Sequence, residues 1–325
     1  MKQEKSHWFG KFLLVLVLLM VIFSLLMVIY LGATVFRSQL PFFQLIDGET
    51  VQTAEVGPEP APYGGVIDLT PQPTTHVYML LGSDFRPQSG YRTDVNMLLI
   101  VDSLSGKVSL VSFPRDLWVT IPGYYEQRIN TVMQVGGFPL LANTMQTNFG
   151  IYPSDYAMID MEGFLAVIDI LGGVTVETDQ ATADACDSSL EADRWCEVGP
   201  GTVNLDKDWA LWYVRARYNS SDFDRMRRTQ EVVQAVMKKG LSPMGLLKMP
   251  ALMGVYETEV QSNLSPDELL PLVRLAFGFD PATDVHHYTI GPNEATGWTT
   301  ADGAAVLIPN VPAIQSVLQS ALNFE

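Results

Sequence analysis

YAMIDMEGFLAVIDILGGVTVE, residues 156–177, reads as a strand, a helix, a Gly172-Gly173 turn and a second strand. The stretch before it, GYYEQRINTVMQVGGFPLLANTMQTNFGI (123–151), gives a loop carrying Arg128 and Asn130. A helix from about Pro139 to Phe149 follows, with Gly150 as its stop. Alternating β and α segments of this length predict an α/β fold, a central mixed sheet sandwiched by helices. The helices around 138–148 and 163–171 are unusually apolar. Ordinary core packing explains that composition, and an apolar groove for a lipid chain would look the same.

Working outward toward the N-terminus, HVYMLLGSD (76–84) is an apolar run followed by Gly82-Ser83-Asp84. It predicts a buried strand ending in a tight turn that exposes a carboxylate. After the polar segment FRPQSGYR, Thr93-Asp94 leads into VNMLLIVD, SLSG turns the chain, and KVSLVSFPRD returns as a partner strand. Residues 95–112 therefore form a hairpin. Asp84 and Asp94 come at neighbouring strand ends, with Arg86, Arg92 and Arg115 on adjoining loops. Paired carboxylates among arginines suit a hard divalent cation such as Mg²⁺, which is held by one or two carboxylates together with phosphate oxygens. Each aspartate alone is better explained as a turn-capping side chain; the pair gains weight from a basic site further along the chain.

That site is SDFDRMRRTQEVVQAVMKKG, residues 221–240. Arg225, Arg227 and Arg228 open a helix just after Arg215 and Arg217, five arginines within 14 residues of a chain whose formal charge is −16. Asp222 is placed to cap the helix. Met226, Val233, Val236 and Met237 supply a buried stripe. Arg225 and Arg228 share a face at the N-terminus, where the helix dipole also favours negative charge. Such an end binds phosphate. The competing reading is a solvated basic face paired with nearby acids.

The 325 residues are 47% hydrophobic, but part of that figure is one segment: Phe12 to Leu31 holds no charge and a single polar residue, Ser24. Twenty residues at 1.5 Å each span a hydrocarbon core of ~30 Å. Lys2, Lys5 and Lys11 precede the span and Arg37 follows it, so the positive-inside bias places residues 1–11 in the cytoplasm and the rest outside the cell membrane. Residues 12–31 are the expected transmembrane helix, favoured by their length over a signal peptide cleaved near Gly32-Ala33-Thr34. Residues 32–73, rich in proline and glycine in their later part, are the expected stalk, and 74–325 the exported domain. Cys186 and Cys196 both fall in that domain, bracketing DSSLEADRW. In an oxidising compartment they predict a disulfide closing a polar loop, worth about 2–3 kcal/mol.

PGTVNLDKDWALWYVRARY (200–218) predicts a short helix around Asp206 to Trp212 that delivers Arg215 and Arg217. Beyond Gly240, SPDELLPLVRLAF carries a capping box at Ser265 and Glu268, VHHYTIGP reads as a strand, and VPAIQSVLQSAL as a final helix. His7, His76, His286 and His287 lack zinc-site spacing, and the chain has no nucleophile elbow, P-loop or dinucleotide fingerprint. An acidic domain without a broad basic face speaks against nucleic acid. One compact basic site in an acidic domain points to a small phosphorylated ligand.

Residues 76 to about 240 resemble the LytR-CpsA-Psr family of membrane-anchored cell-wall glycopolymer ligases. The matching stretches are LLGSDFR, YRTDVNMLLIVD, SFPRDLWVTIPG, RIN, the glycine pair at 136–137, DMEGF, DILGGV, PGTVNLD, ALWYVRARY and DFDRMRRTQ, in the family's order and spacing. The resemblance implies transfer of a glycan polymer, such as a teichoic acid or capsule chain, from an undecaprenyl-pyrophosphate carrier to a peptidoglycan hydroxyl. It assigns Asp84 and Asp94 to Mg²⁺. It assigns Arg86, Arg92, Arg115, Arg215, Arg217, Arg225, Arg228 and Gln230 to the pyrophosphate, and the apolar helices to the prenyl chain. Thr229 stands where the family's first glutamine is expected.

The function expected is thus a membrane-anchored, Mg²⁺-dependent phosphotransferase in which Asp84, Asp94, Arg115 and Arg217 carry the chemistry by charge neutralisation and positioning. Its partners are the lipid-linked glycan, the peptidoglycan acceptor and the cytoplasmic membrane. Two rivals use the same residues: a lipid-pyrophosphate hydrolase with water as acceptor, and a non-enzymatic envelope sensor that binds lipid-linked sugars.

Overall fold

The computed structural model describes residues 65–86, 90–218, 220–265, 283–301 and 303–325. The expected transmembrane span, most of the stalk, and the helix expected after Ser265 lie outside the described residues. Among the described residues no helix is long and apolar enough to cross a membrane.

A six-stranded mixed sheet organises the fold. Its strands are β1 (Thr75–Arg86), β2 (Gly90–Asp102), β3 (Val108–Phe113), β6 (Asp155–Ile159), β11 (Val260–Ser262) and β12 (Val285–Thr289). They lie in the order β11-β6-β1-β2-β3-β12. The β1–β2, β2–β3 and β11–β6 pairs are antiparallel, whereas β1–β6 and β3–β12 are parallel. The expected α/β architecture is observed, and residues 95–112 do form the β2–β3 hairpin.

Strand periodicity divides the β1 side chains between two faces. Val77, Met79 and Leu81 enter a cluster with Leu141, Met145 and Phe149 of α1 (Val132–Phe149) and Ile314 and Leu318 of α7 (Val311–Asn323). Tyr78 and Leu80 belong to the opposite cluster, with Val233 and Met237 of α4 (Asp222–Gly240). Three further helices are α2 (Met161–Leu171), α3 (Lys207–Arg215) and α6 (Met249–Glu259). Ile168 and Leu171 of α2 join Trp212 and Tyr213 of α3 and Val232 of α4 in a separate core.

Within α1 the backbone leaves helical geometry at Gly136 and Gly137, the latter at φ 66°, ψ −166°. That region is open to glycine and strained for other residues. The regular helix therefore starts near Pro139, and Gly150 ends it in the left-handed conformation, donating to the Gln146 carbonyl. Both ends match the sequence expectation.

Two expectations differ from the structure. Residues 66–69, assigned to the stalk, are pinned to the body: the Leu69 N–H donates to the Gly150 carbonyl at 2.7 Å, and Gln315 Nε2 to the Ile67 carbonyl at 2.6 Å. The turn expected at Gly82-Ser83-Asp84 is instead strand, since β1 runs on to Arg86 paired with β2. Backbone hydrogen bonding between long paired strands outweighs the local turn preference of Gly, Ser and Asp.

Between β7 (Val174–Thr178) and α3 lies the hairpin of β8 (Thr182–Ala185) and β9 (Trp195–Val198), followed by β10 (Gly201–Leu205), which pairs with β7. Cys186 and Cys196 form the expected disulfide, with Cα atoms 5.8 Å apart. Two smaller pairs complete the sheet structure. These are β4 (Trp118–Thr120) with β5 (Glu126–Arg128), and β13 (Ala295–Thr299) with β14 (Ala305–Pro309).

Candidate active site

The β1–β2 ladder contains a bulge. Ser83 faces Thr93 and Gly82 faces Val95, which leaves Asp94 without a partner. A bulge re-aims the side chain at the extra position. Two local features favour it. A Cβ on Gly82 would lie 3.0 Å from the Val95 side chain, so a larger residue there would push Val95 aside by a few tenths of an ångström. Buried Thr93 donates from Oγ1 to Asn96 Oδ1 at 2.8 Å, and Asn96 Nδ2 returns to the Thr93 carbonyl at 2.8 Å, bracing the irregular backbone.

Asp94 and Asp84 line one cavity of about 900 Å³. Arg115, on the connection after β3, donates from Nη1 to Asp94 Oδ1 at 2.9 Å. Its Nε lies 3.5 Å from Asp116 Oδ2 and 3.9 Å from Asp222 Oδ1. Burial alone would make the guanidinium easier to deprotonate. The hydrogen bond to Asp94 and the three surrounding carboxylates more than offset this, and the Arg115 pKa rises. Arg225 behaves oppositely: burial lowers its pKa despite Asp222, whose Oδ1 sits 2.7 Å from Arg225 Nη2. Arg225 is 8% exposed and opens onto the cavity.

Arg92, Arg215 and Arg217 also line this cavity, Arg215 as the last residue of α3 and Arg217 just beyond it. The expected helix around Asp206 to Trp212 is thus longer at its C-terminal end, and Asp206 is its N-cap. Arg86 lies at the end of β1, and its side chain is outside the described residues.

Two residues assigned to the pyrophosphate are placed elsewhere. Arg228 is 1% exposed, absent from the cavity lining, and donates from Nε to the Tyr213 carbonyl at 2.8 Å. Gln230 is buried and donates from Nε2 to Ser112 Oγ at 2.8 Å and the Tyr288 carbonyl at 2.7 Å. Asp222 is likewise not the cap of α4. Ser221 Oγ accepts from the Asp224 N–H and Asp224 Oδ2 accepts from the Ser221 N–H, a capping box one residue earlier. Asp222 is thereby free to pair with Arg225 and Arg115.

Sequence reasoning left Asp116, Asp222 and Asn130 out of the site. Asp116 Oδ1 lies 3.2 Å from Arg128 Nε, and both residues line the cavity. Asn130 is 3% exposed, lines the cavity, and its Oδ1 has no hydrogen-bond partner among the described residues. The sequence signal for the first was its adjacency to Arg115. Asn130 was marked only by the RIN stretch that it shares with Arg128.

Much of the remaining cavity wall is apolar. Leu80, Ala157 and Ile159 line it from the sheet, and Phe164, Val214 and Val233 from the helices. A concave site that combines convergent charge with apolar walls suits an amphiphile whose head is anionic. The oxygen donors of Asp84, Asp94 and the orphaned Asn130 Oδ1 also fit a hard divalent cation. Among the described residues no group of three His, Cys, Asp or Glu side chains is arranged to hold a metal ion.

A protein-family model described as the LytR_cpsA_psr family matches residues 66–321. The chain is 31% identical over 215 residues to "Regulatory protein MsrR" of Staphylococcus aureus, a match covering 65% of this chain and 63% of that protein. It is 32% identical over 203 residues to "Polyisoprenyl-teichoic acid--peptidoglycan teichoic acid transferase TagU" of Oceanobacillus iheyensis, covering 60% and 61% respectively. Among solved structures, Bacillus subtilis TagV superposes with a TM-score of 0.64 at 21% identity over 78% of this chain and 98% of that one. A TagT structure described as bound to LIIa-WTA gives 0.62 at 22% identity, over 81% and 96%. These two likenesses establish the shared fold.

Proposed function

The chain belongs to the LytR-CpsA-Psr family, and on that premise we propose that it transfers a glycopolymer from a polyprenyl-pyrophosphate carrier to a peptidoglycan hydroxyl. One observation carries the reading: a single cavity is lined both by Asp84, Asp94, Arg115, Arg217 and Arg225 and by apolar side chains such as Leu80, Phe164 and Val233. A diphosphate head and an isoprenoid tail have that division of chemistry. The teichoic acid transferase activity named for TagU, and the WTA intermediate named for the TagT structure, support the same class of substrate.

In the proposed reaction Arg115, Arg215, Arg217 and Arg225 hold the diphosphate by charge-assisted hydrogen bonds and offset charge that builds on its oxygens. Asp84 and Asp94 would hold Mg²⁺, which when bound supplies further neutralisation of phosphate charge. The acceptor hydroxyl attacks the phosphorus that bears the glycan. The bond to the bridging oxygen breaks, polyprenyl phosphate leaves with the electron pair, and one of the two aspartates accepts the hydroxyl proton. Positioning and electrostatics carry phosphoryl transfer of this kind without a dedicated nucleophile. The apolar walls around Phe164 and Val233 take up the isoprenoid. The proposed setting is the outer face of the cytoplasmic membrane, with residues 12–31 as anchor.

Incubating the protein with a lipid-linked glycan, Mg²⁺ and peptidoglycan, and analysing the products, tests this directly. A glycan–peptidoglycan conjugate with released polyprenyl phosphate supports the ligase. Free glycan phosphate would make water the acceptor. Binding without release of the carrier would leave a sensor of lipid-linked sugars.

A further inference from the structure

The Ala216–Arg217 peptide unit is held from both sides by charged side chains of opposite sign. On its carbonyl side, buried Arg228 donates from Nη2 to the Ala216 oxygen and from Nε to the Tyr213 oxygen at 2.8 Å. These carbonyls lie at the C-terminal end of α3, where the helix leaves acceptors without partners. On its amide side, Asp184 Oδ2 accepts from the Arg217 N–H and, at 3.2 Å, from the Tyr218 N–H. Charge-assisted bonds of this kind are roughly twice as strong as neutral ones. Together they fix the backbone from which the Arg217 side chain reaches the cavity.

Asp184 is itself held in place. It sits in β8 opposite Cys196 of β9, two residues before Cys186, in the hairpin closed by the disulfide. The hairpin meets the arginine segment at two more points. Trp212 Nε1 donates to the Ala185 carbonyl at 3.2 Å, and Trp195 packs edge-on against Tyr218 with ring centroids 4.8 Å apart.

We propose that Asp184 and Arg228 are positioning residues that aim the Arg217 guanidinium at the bound diphosphate, and that the disulfide-closed hairpin exists to hold Asp184 against that segment. The role rests on the diphosphate reading of the cavity. It also gives Arg228 a task in the site without contact with the ligand.

The test uses the full chain in detergent micelles, with inorganic pyrophosphate as the probe for calorimetry and amide hydrogen exchange as a readout independent of ligand. Asp184→Asn keeps the shape but offers one oxygen where two are used. Either the Ala185 N–H, which now donates to Oδ1 at 2.7 Å, or the Arg217–Tyr218 pair must lose its acceptor. The expected result is exchange at Arg217 and Tyr218 faster by about tenfold, and pyrophosphate affinity weaker by about tenfold. Glu191→Gln, the same charge change in the exposed loop of that hairpin, should alter neither. Should Asp184→Asn fail to fold, Asp184→Glu, which keeps the charge on a longer arm, should show the same two losses. Unchanged pyrophosphate affinity in a folded variant with a lowered Tm would overturn the proposal, reducing Asp184 to a structural role. Unchanged exchange would overturn the clamp itself. Wild-type protein that binds no pyrophosphate would sink the cavity reading instead, and the exchange measurement would still judge the clamp.

Discussion

Asp94 Oδ1 accepts a hydrogen bond from Arg115 Nη1 at 2.9 Å, and it can do so because Asp94 is the residue left over where the β1–β2 register slips. In a regular ladder the two strands would pair Asp94 like its neighbours. The bulge frees Asp94 to face Arg115 and the cavity, at the cost of one unpaired residue in the sheet.

Arg115→Ala removes the cation at the centre of Asp94, Asp116 and Asp222. Polyprenyl phosphate release should fall about 10²- to 10³-fold, as when a preorganised charge contact to a transition state is deleted. Circular dichroism should remain that of the folded protein. Turnover near wild type would remove Arg115 from the site.

Phe164→Glu places a carboxylate on the apolar wall of the cavity. Each buried methylene contributes about 0.8 kcal/mol, so affinity for a long prenyl pyrophosphate should drop steeply. Affinity for inorganic pyrophosphate should hold. Equal losses for both ligands would mean that the tail does not run along this wall.

Gln230→Ala strips the contacts by which α4 is tied to Ser112 of β3 and Tyr288 of β12. A loss of about 1–2 kcal/mol is expected, from acceptors left buried without a donor. For a domain of this size that is roughly 2–8 °C in Tm. Pyrophosphate affinity should not change, and a selective loss of affinity would return Gln230 to the binding site.

Acid should loosen the start of α4. The hydrogen bond from Ser221 holds the Asp224 carboxyl below its ordinary value of 3.8, more than burial raises it. A depressed folded-state pKa contributes stability that is present above the unfolded value and lost as pH falls through the folded one. Hydrogen exchange at the first turn should therefore accelerate as pH drops below about 4, after correction for intrinsic rates. Asp224→Asn should raise the exchange at neutral pH and flatten the acid response. An unchanged response in that variant would locate the titrating group elsewhere.

Much of the fold could be read locally. The strand–helix–strand order of residues 156–177, the stop at Gly150 and the pairing of Cys186 with Cys196 all follow from interactions within a few residues or from a single covalent link. The concentration of arginine near residue 220 and the two aspartates of the first strands were equally visible. Where local signals competed, the outcome was decided by partners far along the chain. Ser221 and Asp222 can both cap a helix, and the pairing of Asp222 with Arg225 and Arg115 shows which contact each one makes. Gly82-Ser83-Asp84 favours a turn in isolation, yet its pairing with β2 keeps it in the sheet.

Residue types, their order and their helical spacing were determined by the sequence alone, and with them the family and the kind of ligand to expect. Which guanidinium reaches the cavity was decided only by the tertiary structure. Arg225 and Arg228 are three residues apart on one helix, and the first opens onto the cavity while the second is spent on α3 carbonyls. Spacing fixes the angle between two side chains on a helix. The rotation of that helix against the sheet, set by long-range packing of Val232, Val233 and Met237, fixes where each of them points.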